Sequence, residues 1–265
     1  MIANARMYSV TPHVAALWRR LLDTVLEGAA VEIVEHKPPA PISALWQRPD
    51  KAAVFMCGLP ISRAAPRPEI VAAPVPSPAA YGGRACYWTD LVVRADSPFT
   101  TIEQTFGHRL SLTSPESQSG YAALLHALMQ YAGPQPLYRE VVAPTFTPMG
   151  SLLSVIEGRA DVAPLDSYAL ALLQRHAPEL TAQVRIVKST EPTAVPALVA
   201  SDAVSPAIRQ AFLAADRAVL EPLLLDRFVV PELPPYDRLR ERFETTTAFW
   251  KSHRLATTIH PAFAA

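Results

Sequence analysis

Only two cysteines, Cys57 and Cys86, occur among the 265 residues, too few for a disulfide scaffold and too few on their own for a zinc site. Neither sign of charge is in excess, since Lys+Arg and Asp+Glu each number 24. That balance, with no basic run interleaved with aromatics, speaks against a nucleic-acid-binding face. No apolar run reaches the roughly 20 residues that a membrane-spanning helix needs. The histidines, His13, His36, His108, His126, His176, His253 and His260, are scattered with no i, i+4 pair for a metal. There is no Gly-x-Ser-x-Gly elbow, no phosphate-loop lysine and no Gly-x-Gly-x-x-Gly. Glu116 with Asp166 is the one carboxylate pair to weigh, and chance explains it better. The expectation is therefore a binder and not an enzyme, with no catalytic residue, metal or cofactor. The amino terminus has no charged segment followed by an apolar stretch and a small-residue cleavage site. No secretory signal is legible, so either a leader was removed before this numbering begins or the protein works in the cytoplasm.

What is present is a chain half apolar in composition, long enough for two lobes of about 100 to 150 residues each. Its 27 prolines gather in "KPPAPI", "APRPEIVAAPVPSPAA" and "VVPELPPY", which read as rigid connections. Thr11 and Pro12 form a cap and first-turn pair. Val14, Leu17, Trp18, Leu21, Leu22 and Val25 follow at helical spacing until Gly28. Strands are expected at 31–35, 52–56, 70–75, 91–93, 109–112, 162–165, 184–187 and 194–200, and helices from Ser205 through Leu220 and from Tyr236 to Trp250. Strands and helices take turns, the pattern of an α/β fold with mainly parallel sheets covered on both faces. The stretch before Tyr8 reads as too polar for a core strand. Cys57 and Cys86 fall near strand ends, and one disulfide or two buried thiols are equally open readings.

Residues 114 to 121, Ser-Pro-Glu-Ser-Gln-Ser-Gly-Tyr, are the most informative segment. They join the strand at 109–112 to an amphipathic helix carrying Leu124, Leu125, Leu128 and Met129 on one face. At such a junction the amides of Gln118, Ser119, Gly120 and Tyr121 would point outward with the positive end of the helix dipole behind them, and Ser117 and Ser119 add hydroxyls. The competing reading is that Ser117 or Ser119 simply caps the helix. Gly150 and Ser151 open a further helix whose amino end could form a second anion cradle. Asp166, closing a strand and preceding a helix, either caps that helix through the Ser167 and Tyr168 amides or meets the ligand. Of Tyr87 and Trp88, strand alternation sends one to the ligand side and the other elsewhere.

Several strings carry a family resemblance. "CYWTDLVVRADSPFTTIEQTFGHRLSLTSPESQSGY" (Cys86 to Tyr121), "GSLLSVIEGRADVAPLDSYALALL" (Gly150 to Leu173), "ARMYSVTPHVAALWRRLL" and "FMCGLPIS" (Phe55 to Ser62) together resemble the phosphonate-binding, PhnD-like branch of the periplasmic solute-binding proteins of ABC transporters. The resemblance implies a type II periplasmic-binding-protein fold, with 1–92 and 196–265 in lobe 1 and 93–195 in lobe 2. Two strands would cross between the lobes as a hinge, and both carboxyl-terminal helices would lie on lobe 1. It implies a monomeric, periplasmic receptor that closes on a small phosphonate- or phosphate-like oxyanion, with an ABC permease and ATPase as partners and no nucleic acid. Ligand contacts are implied at Tyr8, Gly58, Tyr87, Trp88, Ser117, Gln118, Ser119, Gly120, Tyr121, Ser151 and Asp166, with Gly58 letting backbone approach the ligand and Asp166 pairing with an amine. Two positions depart from the family: Leu152 stands where a His is usual after Gly-Ser, and Gln118 where the loop often has Thr. Two alternatives remain, a same-fold receptor for a heteroaromatic solute such as a thiamine-related pyrimidine, and a cytoplasmic biosynthetic enzyme on this fold.

Overall fold

The computed structural model describes residues 1–202 and 205–263. The chain forms two compact units, Met1–Tyr87 with Thr193–Asp237, and Trp88–Pro192 with Arg238–Ala265. Three connections run between them, at 87/88, 192/193 and 237/238, one more than the two crossings expected from sequence.

The first unit is built on a six-stranded sheet that runs Leu225–Val229, Glu69–Pro76, Ala197–Ala200, Lys51–Met56, Ile2–Asn4 and Glu32–Ile33. The last three strands are parallel, and Ala197–Ala200 is antiparallel to both of its neighbours. Lys51–Met56 is buried at every position, as a strand covered on both faces must be. Ile2–Asn4, which the sequence suggested was too polar for a core strand, is one of these strands and fully buried. Asn4 is accommodated because its side chain is spent on local backbone: it donates to Val34 O at 2.8 Å and accepts from Arg6 N at 2.8 Å.

Helix Pro12–Val25 begins where Thr11 Oγ1 accepts from Val14 N at 3.1 Å, and it buries Val14, Trp18, Leu21, Leu22 and Val25. The expected single helix from Ser205 to Leu220 is two, Pro206–Leu213 and Arg217–Leu220. Asp216 interrupts it, because its carboxylate caps Ala218 N at 2.6 Å and local side-chain caps compete with helix continuation.

The second unit repeats the plan. Its sheet runs Val184–Ser189, Thr89–Arg94, Val162–Asp166, Arg109–Ser111, Tyr138–Val142 and Ala256–Thr258. Only Thr89–Arg94 runs against both neighbours, and the others are parallel. Thr89–Arg94 follows the first connection between the units and Ala197–Ala200 the second, while in the first unit Leu225–Val229 also runs antiparallel to its neighbour Glu69–Pro76.

The carboxyl terminus differs from expectation. Helix Pro234–Trp250 passes out of the first unit at Asp237, and from Arg238 onward the chain belongs to the second unit. The reason is packing: Phe243, Trp250, Leu255, Ala256 and Phe263 lie in or against that unit's core with Leu110, Tyr121, Leu124 and Tyr138. Trp250 Nε1 donates to Leu125 O at 3.0 Å, and the edge strand Ala256–Thr258 pairs with Tyr138–Val142.

Neither Cys57 nor Cys86 is in a disulfide among the described residues. Cys57 contacts Met7 Sδ at 3.9 Å, and Cys86 donates to Tyr81 O at 3.8 Å. Among the described residues no helix is long and apolar enough to cross a membrane.

Candidate functional site

In the second unit the strand Arg109–Ser111 leads through Ser114–Ser117 into one π-helical turn, Gln118–Ala122, which continues as the α-helix Ala123–Leu128. A π turn widens the helix, so amides bond five residues back: Ala122 N reaches Ser117 O at 3.1 Å and Ala123 N reaches Gln118 O. Such turns are uncommon and recur at functional sites.

Of the amides expected to form a cradle, Gly120 N is taken internally, donating to Ser117 Oγ at 2.9 Å. Ser117 is thus the cap, and its hydroxyl proton stays available to a ligand. The amides of Gln118 and Ser119 meet no acceptor among the described residues, although the two residues are only 2% and 8% exposed. A buried N–H without a partner costs about 1–3 kcal/mol, so an acceptor brought to this pair of donors would be favoured. Tyr121 contributes little beyond its backbone, because its ring packs edge-on against Phe263 at 5.3 Å in the core.

The turn is held by neighbours. Thr113 N donates to Gly120 O at 3.2 Å, and Thr89 Oγ1 donates to Ser119 O at 2.9 Å. A Cβ at Gly120 would lie 2.0 Å from Thr113 Oγ1, so glycine is obligatory here. The Thr113 hydroxyl meets Ser151 Oγ at 3.3 Å, and Ser151 Oγ meets Thr145 Oγ1 at 2.7 Å.

That last contact corrects the second cradle. The helix begins at Pro148, two residues earlier than expected, with Thr147 as its cap accepting from Gly150 N at 2.9 Å. Ser151 is fully buried and its amide bonds Thr147 O. Leu152, where the resemblance implies a histidine near the ligand, is likewise fully buried in the helix interior. Of the threonines around Ser151, only Thr147 carries a readable signal, since Thr147-Pro148 repeats the cap and first-turn pair that marks Thr11-Pro12.

Asp166 is a cap: its Oδ1 accepts from Tyr168 N at 2.9 Å and Ala169 N at 3.0 Å. The expected Ser167 amide instead donates to Trp88 O at 3.0 Å. Trp88 is half-buried and its Nε1 donates to Asp90 Oδ1 at 2.9 Å, which also accepts from Ser189 Oγ at 2.5 Å. Burial raises the Asp90 carboxyl above its ordinary value, with the Ser189 and Trp88 hydrogen bonds opposing that rise.

In the first unit, Tyr8 is fully buried, with its ring 5.1 Å from Phe55 and 6.3 Å from Trp18, so it is a packing residue. Gly58 is buried as the first residue of the short helix Gly58–Arg63. Tyr87 is 1% exposed, which leaves Trp88 as the accessible member of the aromatic pair.

Asp90 permits a stability test. A carboxyl whose folded value is raised contributes stability at low pH that declines as pH climbs from the ordinary 3.8 through the raised value. Asp90→Asn keeps the Oδ1 acceptor and removes the desolvated charge, so urea midpoints from that pH up to neutrality should show a shallower decline than the unmodified protein. Asp90→Ala strands the Trp88 and Ser189 donors and should cost about 1–3 kcal/mol.

Residues 53–234 match the family model for the phosphonate periplasmic substrate-binding protein of ABC transporters. Two solved structures share the fold. A binding protein component of an ABC phosphonate transporter from Pseudomonas aeruginosa superposes with a TM-score of 0.72 and 17% identity, covering 93% of this chain and 86% of that one. PhnD1 from Prochlorococcus marinus, solved in complex with methylphosphonate, gives 0.74 and 14% identity, covering 93% and 97%. Over 116 residues the chain is 35% identical to the probable serine acetyltransferase 4 of Oryza sativa subsp. japonica. That match covers 42% of this chain and 35% of the plant protein, so the chain spans about a third of that relative's length.

Proposed function

The chain belongs to the phosphonate-binding family of ABC transporter periplasmic substrate-binding proteins, and we propose that this member holds a small organic oxyanion on the amides of Gln118 and Ser119 and the hydroxyl of Ser117. The observation that carries the reading is the pair of buried amides without an acceptor, set on a π turn at the head of a helix. An oxyanion satisfies both donors, gains from the helix dipole, and accepts a third hydrogen bond from Ser117. No side-chain cation is needed at position 152, where Leu faces the core.

Asp166 spends Oδ1 on two backbone amides, which argues for a ligand that does not depend on an amine. Binding shifts the receptor's population toward the state its ABC permease and ATPase recognise, by as much as the ligand's affinities for the two states differ. The protein acts as a monomer in the periplasm, without catalysing a reaction on its ligand.

A second reading rests on Trp88, whose half-buried indole is fixed by Asp90 and could stack on a heteroaromatic solute. Calorimetric titration with inorganic phosphate, methylphosphonate, aminoethylphosphonate and a thiamine-related pyrimidine separates the two. The anion reading expects heat from the phosphonates, no advantage for the amine, and a loss of about 10- to 100-fold in affinity on Ser117→Ala. Heat from the pyrimidine alone would end it.

A further inference from the structure

Phe146 stands out by its backbone and its exposure together. Among the described residues the exposed large hydrophobics are Met1, Phe146, Ile186, Val230 and Leu233, and of these Phe146 alone is aromatic, at 39% exposed. It is also one of two non-glycine residues with positive φ among the described residues, at 63°. Thr147 N donates to Thr145 O at 2.8 Å across it, which closes a three-residue γ-turn of the rare, strained, positive-φ kind. A bulky side chain in that region costs about 1–3 kcal/mol, and glycine would avoid the cost.

At 39% exposed, the ring gives up to solvent part of the burial that would offset that strain. What the turn does is tie the Phe146 backbone, through Thr113, to the π turn that carries the Gln118 and Ser119 amides. Phe146 N donates to Thr113 O at 3.1 Å, and Thr113 N donates to Gly120 O at 3.2 Å. Two successive backbone hydrogen bonds thus tie the turn to the π turn. Thr145 reinforces the tie through its amide and hydroxyl, which donate to Leu112 O at 3.1 and 3.2 Å. The outcome is an exposed aromatic residue joined through the backbone of Thr113 to the turn that carries the Gln118 and Ser119 amides.

We propose that Phe146 is a specificity-determining wall of the ligand site, packing its ring against the organic substituent of an oxyanion seated on Gln118 and Ser119. The inference rests on the anion-receptor reading above and adds the ligand's class: a phosphonate bearing an aryl or other extended apolar group, in preference to methylphosphonate or inorganic phosphate. The strain is retained because only this turn presents the ring at that place.

The test compares phenylphosphonate with methylphosphonate by calorimetry on the full chain, using the unmodified protein, Phe146→Gly and Phe146→Leu. The unmodified protein should favour phenylphosphonate. In Phe146→Gly the ratio of the two affinities should fall about tenfold, the scale of one aromatic contact, with Phe146→Leu between. Thermal melting accompanies each variant, and Phe146→Gly should melt no lower than the unmodified protein, because it relieves strain and uncovers little core. An unchanged ratio would overturn the proposal while leaving the cradle standing, provided methylphosphonate still binds. A melting point several degrees lower would overturn it too, by showing that the ring is a packing element. Failure of both phosphonates to bind any of the three proteins would remove the anion reading and this inference with it.

Discussion

Replacing Gly120 with alanine is expected to abolish anion binding, with an affinity loss of at least about 100-fold, equivalent to roughly 3 kcal/mol. The added Cβ would sit 2.0 Å from Thr113 Oγ1, 2.5 Å from Thr113 Cβ and 2.9 Å from Ser117 Oγ. Real contacts of that kind do not occur, so something must move. Thr113 cannot yield easily, because its amide, carbonyl and hydroxyl are engaged with Gly120, Phe146 and Ser151. The π turn therefore moves, carrying the Gln118 and Ser119 amides out of position, and overpacking adds a stability cost of about 1–3 kcal/mol. Gly133→Ala is the matched control, since a Cβ there meets nothing within 4 Å, and it should stay within about 0.5 kcal/mol. Urea unfolding and calorimetry on both variants check the pair. Binding by Gly120→Ala within threefold of the unmodified protein would show that the turn is not the seat of affinity.

Trp250→Ala should cost about 3–4 kcal/mol, near the low end for a buried tryptophan because its ring is only partly enclosed. The variant removes the Nε1 donor to Leu125 O and the edge contact with Phe249 at 5.4 Å. It also loosens the segment that carries Leu255, Ala256 and Phe263 into the core of the second unit. Hydrogen exchange should therefore lose protection in the helix Ala123–Leu128 and the strand Tyr138–Val142 while the strand Lys51–Met56 keeps its own. Protection lost instead in the first unit would restore the allocation that the sequence suggested for the carboxyl-terminal helix.

That allocation shows where sequence stops being legible. The strands at 51–56, 69–76 and 89–94 were readable because burial on both faces leaves continuous apolar runs, and the helix at Thr11-Pro12 because a cap and a first-turn proline are local signals. Ile2–Asn4 was hidden by Asn4, whose burial depends on hydrogen bonds to Val34 and Arg6 that local pattern does not reveal. The resemblance puts the carboxyl-terminal helix on lobe 1, whereas from Arg238 onward it belongs to the second unit; amphipathic spacing shows that a helix has a buried face and says nothing about which core receives it.

The site divides in the same way. Serines and glycine before a helix mark the segment 117–120, and the cap reading of Ser117 holds, its oxygen accepting from Gly120 while its proton is left for the proposed ligand contact. The π turn is not legible in the sequence, because Thr89, from the strand Thr89–Arg94, and Thr113, from the segment after Arg109–Ser111, hold the turn through tertiary hydrogen bonds. Phe146 was passed over because positive φ at a phenylalanine has no sequence signature. Tyr8 and Ser151, both implied by the resemblance, are fully buried.

The central claim is that the Gln118 and Ser119 amides bind the ligand's oxyanion, and amide-resolved NMR during a methylphosphonate titration tests it most directly. Large downfield shifts of those two amide protons, exceeding those of every other residue in the unit and saturating with the calorimetric affinity, are the expected result. Saturable binding that leaves both amides unmoved would contradict the account.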